Sequence, residues 1–363
     1  MRVLQVMAGA EFGGAEAFFV RLVLALSRAG LKQRVVIREH PARAQALKAG
    51  GIEPVELAFG GLLEWRTPGA LKKEIAAYRP DIVMTWMNRA THKCPAGNFV
   101  HVARLGGYYD LKYYRKCDHL IANTEDIRDY LVAGGWSGER AHHLPNFVAG
   151  EKAEPAPRKR FYTPEGAPLV VALGRLHENK AFDVLLEAMA RVPDAYLWIA
   201  GDGPLRQELE QKAEALAVKP RTRFLGWRED TAALLAAADV FVCPSRHEPL
   251  GNVVIEAWAQ GVPVIAADSY GPGTLIDNWE TGILVPVDDT ATMGKAIRNL
   301  LEDDKLSRRI ARQGRQAYKN DFTEKKVVVQ YMDFFESVLE RSEERRVGKE
   351  CRSRWSPYHS KKK

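Results

Sequence analysis

Cysteine is scarce in this 363-residue chain, and the four present are scattered. Cys94, Cys117, Cys243 and Cys351 show no close pair and no metal-ligand spacing. That excludes a disulfide-stapled secreted domain and a structural zinc site, and fits a reducing compartment. Long apolar runs are missing too. The longest candidate, Phe18–Leu26, is interrupted by Arg21 and reads as an amphipathic helix, far from the ~18 apolar residues that suggest a membrane span. Asp-x-Asp and a His/Cys cluster with metal spacing are absent, so no metal is expected. The G-x-G-x-x-G dinucleotide fingerprint is also lacking. Met1-Arg2 leads directly into the apolar run Val3–Met7, which leaves no room for a signal peptide. A cytoplasmic protein is expected, with peripheral contact at the inner membrane surface left open.

Positive charge is present in excess, but not where a nucleic-acid surface would need it. The formal charge of +7 comes mostly from residues 341–363, which hold nine Lys/Arg against three Glu. The rest of the chain carries 44 basic and 43 acidic residues. The order from Arg341 to His359 is similar to the in-frame translation of a DNA-sequencing adapter, and Lys361–Lys363 to translated poly-A. Residues 341–363 are therefore set aside as artefactual and expected to be disordered, with the natural C-terminus lost near Glu340. No nucleic-acid partner is expected.

What remains is rich in alternation. Hydrophobic residues make up 46% of the chain, enough for two cores. Strands are expected at Val3–Met7, Arg34–Ile37, Ile82–Trp86, Phe99–Leu105 and His119–Ala122, with helices between or after them. A polar, proline-rich stretch follows. Alternation then restarts at Leu169–Leu173, Ala195–Ala200, Thr222–Leu225, Val240–Cys243, Pro263–Ala266 and Ile283–Val285. This pattern predicts an α/β protein built from two Rossmann-like, mostly parallel domains. The expected division is 1–150, a linker at 151–166, 167–320, and a terminal helix over 321–340. Val327, Val328, Tyr331, Phe334, Phe335 and Val338 give that helix its packing stripe.

Three strand-to-helix turns carry the candidate chemistry. Pro244–Glu256 runs from the strand Val240–Cys243 through a loop with Glu248 into a helix opened by Gly251, with Glu256 on its second turn. Ligands of open α/β sheets bind at such strand ends, and free helix amides attract phosphate. A carboxylate further along can accept from a ribose diol. After Leu169–Leu173, Arg175 and Lys180 place two cations beside that position, suited to a diphosphate. In the first half Gly13 and Gly14 open a helix, and Glu16 lies in its first turn. A lone loop cation is usually solvated, and a first-turn acid usually serves the helix dipole. The grouping around Gly251 argues for a nucleotide-sugar site.

In these motifs the chain resembles the retaining GT-B glycosyltransferases of family 4 over about residues 1–340. The pieces are Gly13–Glu16, Gly174-Arg175 with Lys180, Ala200–Gly203, Phe224–Gly226, Glu248–Glu256, Gly261–Val264 and Gly282–Pro286. The resemblance implies two Rossmann-like domains facing a cleft and a nucleotide-diphosphate-sugar donor held mainly by the C-terminal domain. Arg175 and Lys180 would hold the diphosphate, with Leu250, Gly251, Asn252 and Val253 amides assisting. Glu256 would take the ribose and Glu248 would face the donor sugar. Gly13, Gly14 and Glu16 would complete the substrate contacts. Transfer would retain configuration, without metal or cofactor, to a polysaccharide, lipopolysaccharide or lipid-linked glycan. The terminal helix would cross back to the N-terminal domain. One departure stands out: Leu105 occupies the place of a His that many relatives carry, with Arg104, Asp110 and His101 as possible substitutes. A nucleotide-sugar epimerase on the same fold and a non-catalytic nucleotide-binding module are the rival readings.

Overall fold

Short aliphatic and β-branched runs form strands buried on both faces, as parallel sheets flanked by helices require. The computed structural model describes residues 1–10, 13–60 and 66–354. The chain forms two compact units, one of Met1–Leu144 together with the chain from Val327 onward, the other of Pro145–Lys326.

The first unit holds strands β1 (Arg2–Met7), β2 (Lys32–Arg38), β3 (Val55–Leu57), β4 (Ile82–Trp86), β5 (Val100–Leu105), β6 (His119–Ala122) and β7 (Ala141–His143). They form one parallel sheet in the order β3-β2-β1-β4-β5-β6-β7. The order reverses between β1 and β4, and the first β-to-α turn opens helix Gly14–Arg28 there. β3, β7 and the helix Met87–Lys93 were not expected from the sequence. β3 and β7 are three-residue edge strands, too short for a period-2 pattern to show. The helix is seven residues long, begins at once after β4, and its N-cap Trp86 offers no side-chain hydrogen bond.

The second unit contains β8 (Leu169–Leu173), β9 (Tyr196–Ala200), β10 (Thr222–Gly226), β11 (Val240–Cys243), β12 (Val264–Ala267) and β13 (Ile283–Val285). Its parallel sheet runs β10-β9-β8-β11-β12-β13, so its reversal lies between β8 and β11. The proline-rich stretch 151–166 is not a free linker. Gln260 bonds the backbone of Glu151 and Ala153, Ala156 donates to Ala233, and Arg158 reaches the carbonyls of Ala167 and Ala237. These contacts fasten it to the second unit.

Helix Glu324–Arg354 returns the chain to the first unit, where the six stripe residues Val327, Val328, Tyr331, Phe334, Phe335 and Val338 are all buried. Tyr331 accepts a 2.8 Å hydrogen bond from Arg104 Nε, and the Arg104 guanidinium lies over the rings of Phe18 and Trp86. The helix continues past Glu340 to Arg354, against the expected disorder of 341–363. Residues 341–354 are dominated by Arg, Glu and Lys, good helix formers without a proline, so a helix already nucleated by packing propagates through them. Residues 355–363 of that segment lie outside the described residues.

Two outcomes follow for stability. Tyr331→Phe withdraws the acceptor from a buried guanidinium and should lower the unfolding free energy by about 1.5–3 kcal/mol in denaturant titration. His101 and His142 are both held neutral, each pushed down to about 4. Burial is the main cause in both, outweighing Asp118 beside His101 and reinforced by His119 and Arg341 beside His142. The unfolded chain takes up these protons near pH 6.5 and the folded chain does not. Their contribution is therefore complete above pH 6.5 and falls as the pH drops toward 4, by roughly 3 kcal/mol per histidine. His101→Gln should show a shallower loss of stability across that window.

Candidate active site

In the second unit the turns after β8 and β11 meet where the strand order reverses. The β8 turn begins at Gly174 and includes a 3-10 helix, Glu178–Lys180. It is threaded against the β9 turn so closely that side chains are excluded. A Cβ on Gly201 would lie 1.8 Å from the Gly174 oxygen, and one on Gly203 2.5 Å from the Leu176 oxygen. Gly174 N donates to Ala200 O, Leu176 N to Asp202 O, and Leu205 N back to Leu176 O. The Gly201-Asp-Gly203 turn thus supports the cation loop, and Gly174 leaves space along which the Lys180 stem packs.

Arg175, just beyond Gly174, is exposed and has no hydrogen bond or ion pair to the described residues. Lys180 turns inward and forms an ion pair with Glu248 of the β11 turn; both side chains are largely buried. Burial alone would depress the ammonium. The Glu248 carboxylate, with Cys243 close behind, outweighs that and raises it, so Lys180 is charged at neutral pH. The β11 turn ends at Gly251, whose left-handed φ of 84° starts helix Asn252–Gln260. Among the described residues the amides of Leu250, Gly251, Asn252 and Val253 have no acceptor. The Asn252 side chain accepts from Asn146 at 2.9 Å, and Gly271 N holds Glu248 O at 2.7 Å. Glu256, one turn along the helix, is half-buried. Two cations and a row of free amides therefore stand at the carboxyl ends of adjacent strands, with one acid at each end of the row.

The corresponding turn of the first unit is simpler. Gly13 and Gly14 are exposed at the start of helix Gly14–Arg28, which has no side-chain cap. Glu16 folds back, and its Oε1 accepts from Ala10 N at 2.7 Å. The space beside Gly9 and Gly13 is filled by this carboxylate, so in this structure Glu16 organises the turn. The proposed substitutes for the missing His are likewise engaged. His101 is buried against Thr85, Arg104 is bonded to Tyr331, and Asp110 caps a 3-10 helix and pairs with Lys112. Leu105 is wholly buried. Nearby, Trp86 and Tyr114 are core, whereas Tyr108, Arg89 and Arg115 are exposed.

Comparison with known proteins matches the chain to two family models: Glycosyltransferase Family 4 over residues 12–152 and Glycosyl transferases group 1 over 154–317. The lipopolysaccharide core biosynthesis glycosyltransferase LpsE of Rhizobium meliloti is 38% identical over 331 residues, covering 90% of this chain and 96% of the relative. The chain belongs to the family 4 glycosyltransferases. LpsD of the same organism is 35% identical over 343 residues, 93% of this glycosyltransferase and 98% of its own length. Anabaena HepE in complex with UDP superposes with a TM-score of 0.81 at 20% identity, over 93% and 100% of the two chains. The WaaG structure, a glycosyltransferase involved in lipopolysaccharide biosynthesis, gives 0.68 at 17% identity over 90% and 97%. These structures share the GT-B fold with the present enzyme.

Sequence reading overlooked Arg246 in the β11 turn. Its side chain bonds Asp183 twice, Asp288 once and the Glu178 carbonyl once. No local signal marks it, because its partners lie 42 to 68 residues away. The Gly201 contact gives a direct check on the glycosyltransferase. Gly201→Ala would have to displace the Gly174 backbone, at a cost of roughly 3 kcal/mol or more. A lowered thermal midpoint is the expected result.

Proposed function

We propose that the protein transfers a sugar from a nucleoside-diphosphate-sugar donor to a growing lipopolysaccharide core or related lipid-linked acceptor, with retention of anomeric configuration. The observation that carries this reading is the meeting of Arg175, Lys180 and the Leu250–Val253 amides at the reversal of strand order in the second unit. Such a surface suits the two phosphates of the donor. An arriving diphosphate competes with Glu248 for Lys180, freeing the carboxylate to accept from sugar hydroxyls. Glu256 takes the ribose hydroxyls.

As the bond from the anomeric carbon to the leaving phosphate oxygen breaks, negative charge grows on the diphosphate. Arg175, Lys180 and the helix amides stabilise it without a divalent ion. The acceptor oxygen attacks the same face, and its proton passes to the departing phosphate, which gives retention. The names of LpsE and LpsD support the lipopolysaccharide acceptor, and the HepE complex supports UDP as the first nucleotide to try. Among the described residues no helix is long and apolar enough to cross a membrane. The enzyme would work from the cytoplasmic side, meeting its acceptor at the membrane surface.

A panel of nucleotide sugars screened by thermal stabilisation, followed by transfer to lipopolysaccharide-core acceptors, tests the assignment. Glu256→Ala and Arg175→Ala should each lower kcat/KM on the order of 100-fold while the fold persists, since each removes one or two charge-assisted hydrogen bonds. Full activity in both variants would refute the site. Product analysis by NMR showing an inverted anomeric centre would refute retention alone.

A further inference from the structure

Lys180 and Glu248 sit on loops, and loops do not hold a cation and a carboxylate in fixed register by themselves. Arg246 does so here. It is two residues from Glu248, and its partners bracket Lys180: Glu178 on one side, Asp183 on the other. Nη1 and Nη2 grip the Asp183 carboxylate at 3.1 and 2.7 Å, and Nη1 also donates to Glu178 O at 2.9 Å. Nε is 2.6 Å from Asp288, in the turn after β13, whose left-handed φ of 62° brings it in. A single backbone bond, His247 N to Asn179 O at 3.2 Å, runs alongside. Burial would raise the Asp183 carboxyl, but Arg246 outweighs it and holds it below its usual value, so the bridge is ionised at neutral pH.

The geometry points to Arg246 as the positioning residue that locks the Arg175–Lys180 turn to the Glu248–Gly251 turn, an inference that rests on reading those turns as the donor's diphosphate grip. Arg246 itself does not face the donor, because its three nitrogens are spent on Asp183, Asp288 and Glu178. Its effect is on how accurately Lys180 and the Gly251 amides converge on the leaving phosphate. A misplacement of about 1 Å at such a centre can cost on the order of 100-fold in rate. The planar fork is essential. A lysine keeps the charge and reaches one acceptor, but cannot bridge a carboxylate in two-point fashion and serve two further segments.

The test uses the full chain with Arg246→Lys, Asp183→Asn and the double variant, with Lys180→Ala and Glu256→Ala as controls. UDP binding by calorimetry counts intact sites, and turnover is measured with the donor selected by the stabilisation panel. In Arg246→Lys and Asp183→Asn, kcat per UDP-binding site should fall about 10- to 100-fold while KM moves less than about threefold. The double variant should fall no further than the worse single one, since both break one bridge. A lower thermal midpoint with unchanged kcat per site would make Arg246 a stability residue and overturn the inference. A raised KM with unchanged kcat would make it a donor ligand and overturn it equally. If Lys180→Ala and Glu256→Ala also kept full activity, the diphosphate reading itself would fail. Loss in those controls with wild-type rates in the Arg246 and Asp183 variants would defeat the positioning role alone.

Discussion

Backbone crowding at the ends of β8 and β9 is the constraint on which the arrangement of the second unit's turns depends. Two glycine turns approach until the oxygen of Gly174 occupies the place where a side chain on Gly201 would begin. Three hydrogen bonds between the turns, from Gly174, Leu176 and Leu205, fix that approach. The cation loop is therefore a rigid extension of the sheet. Arg175 projects from it to solvent, and Lys180 packs its stem in the space left by Gly174. With the first loop fixed, Arg246 and His247 transfer its position to the second, where Gly251 aims its amides. Electrostatic stabilisation of a leaving group depends on such preorganisation, because donors already in place need not reorganise as charge appears.

Much of this was legible in the sequence. Runs such as Ile82–Trp86, His119–Ala122, Leu169–Leu173 and Val240–Cys243 begin and end where the strands do, each being short and mostly apolar. Gly251 announced its helix because a left-handed residue there favours glycine. Arg175, Lys180, Glu248 and the Gly251 amides are brought to adjacent strand ends, as strand–turn–helix order implies. What stayed hidden depended on partners distant in sequence. β3 and β7 exist because a neighbouring strand offers hydrogen bonds, not because Val55–Leu57 or Ala141–His143 favour extension. Arg246 resembled any loop cation until the fold placed Asp183 and Asp288 around it. Residues 151–166 read as a linker from composition, yet Gln260 and Arg158 tie them down.

The two units use buried charge differently. In the second, Lys180 and Glu248 are opposite charges paired across two turns. In the first, Arg104 is almost completely buried beneath aromatic rings and the Tyr331 hydroxyl. Glu16 similarly closes its own turn through Ala10.

The return of the terminal helix has a consequence for biosynthesis. About 180 residues of the second unit are made between Leu144 and Val327. At ribosomal speeds of 5–20 residues per second that is a delay of roughly 10 to 40 s. Throughout it the nascent first unit lacks Tyr331, Phe334 and Phe335, so the surface they cover faces the cell's chaperones while the second unit is already emerging. The strip that completes the first unit is thus made only after the whole of the second.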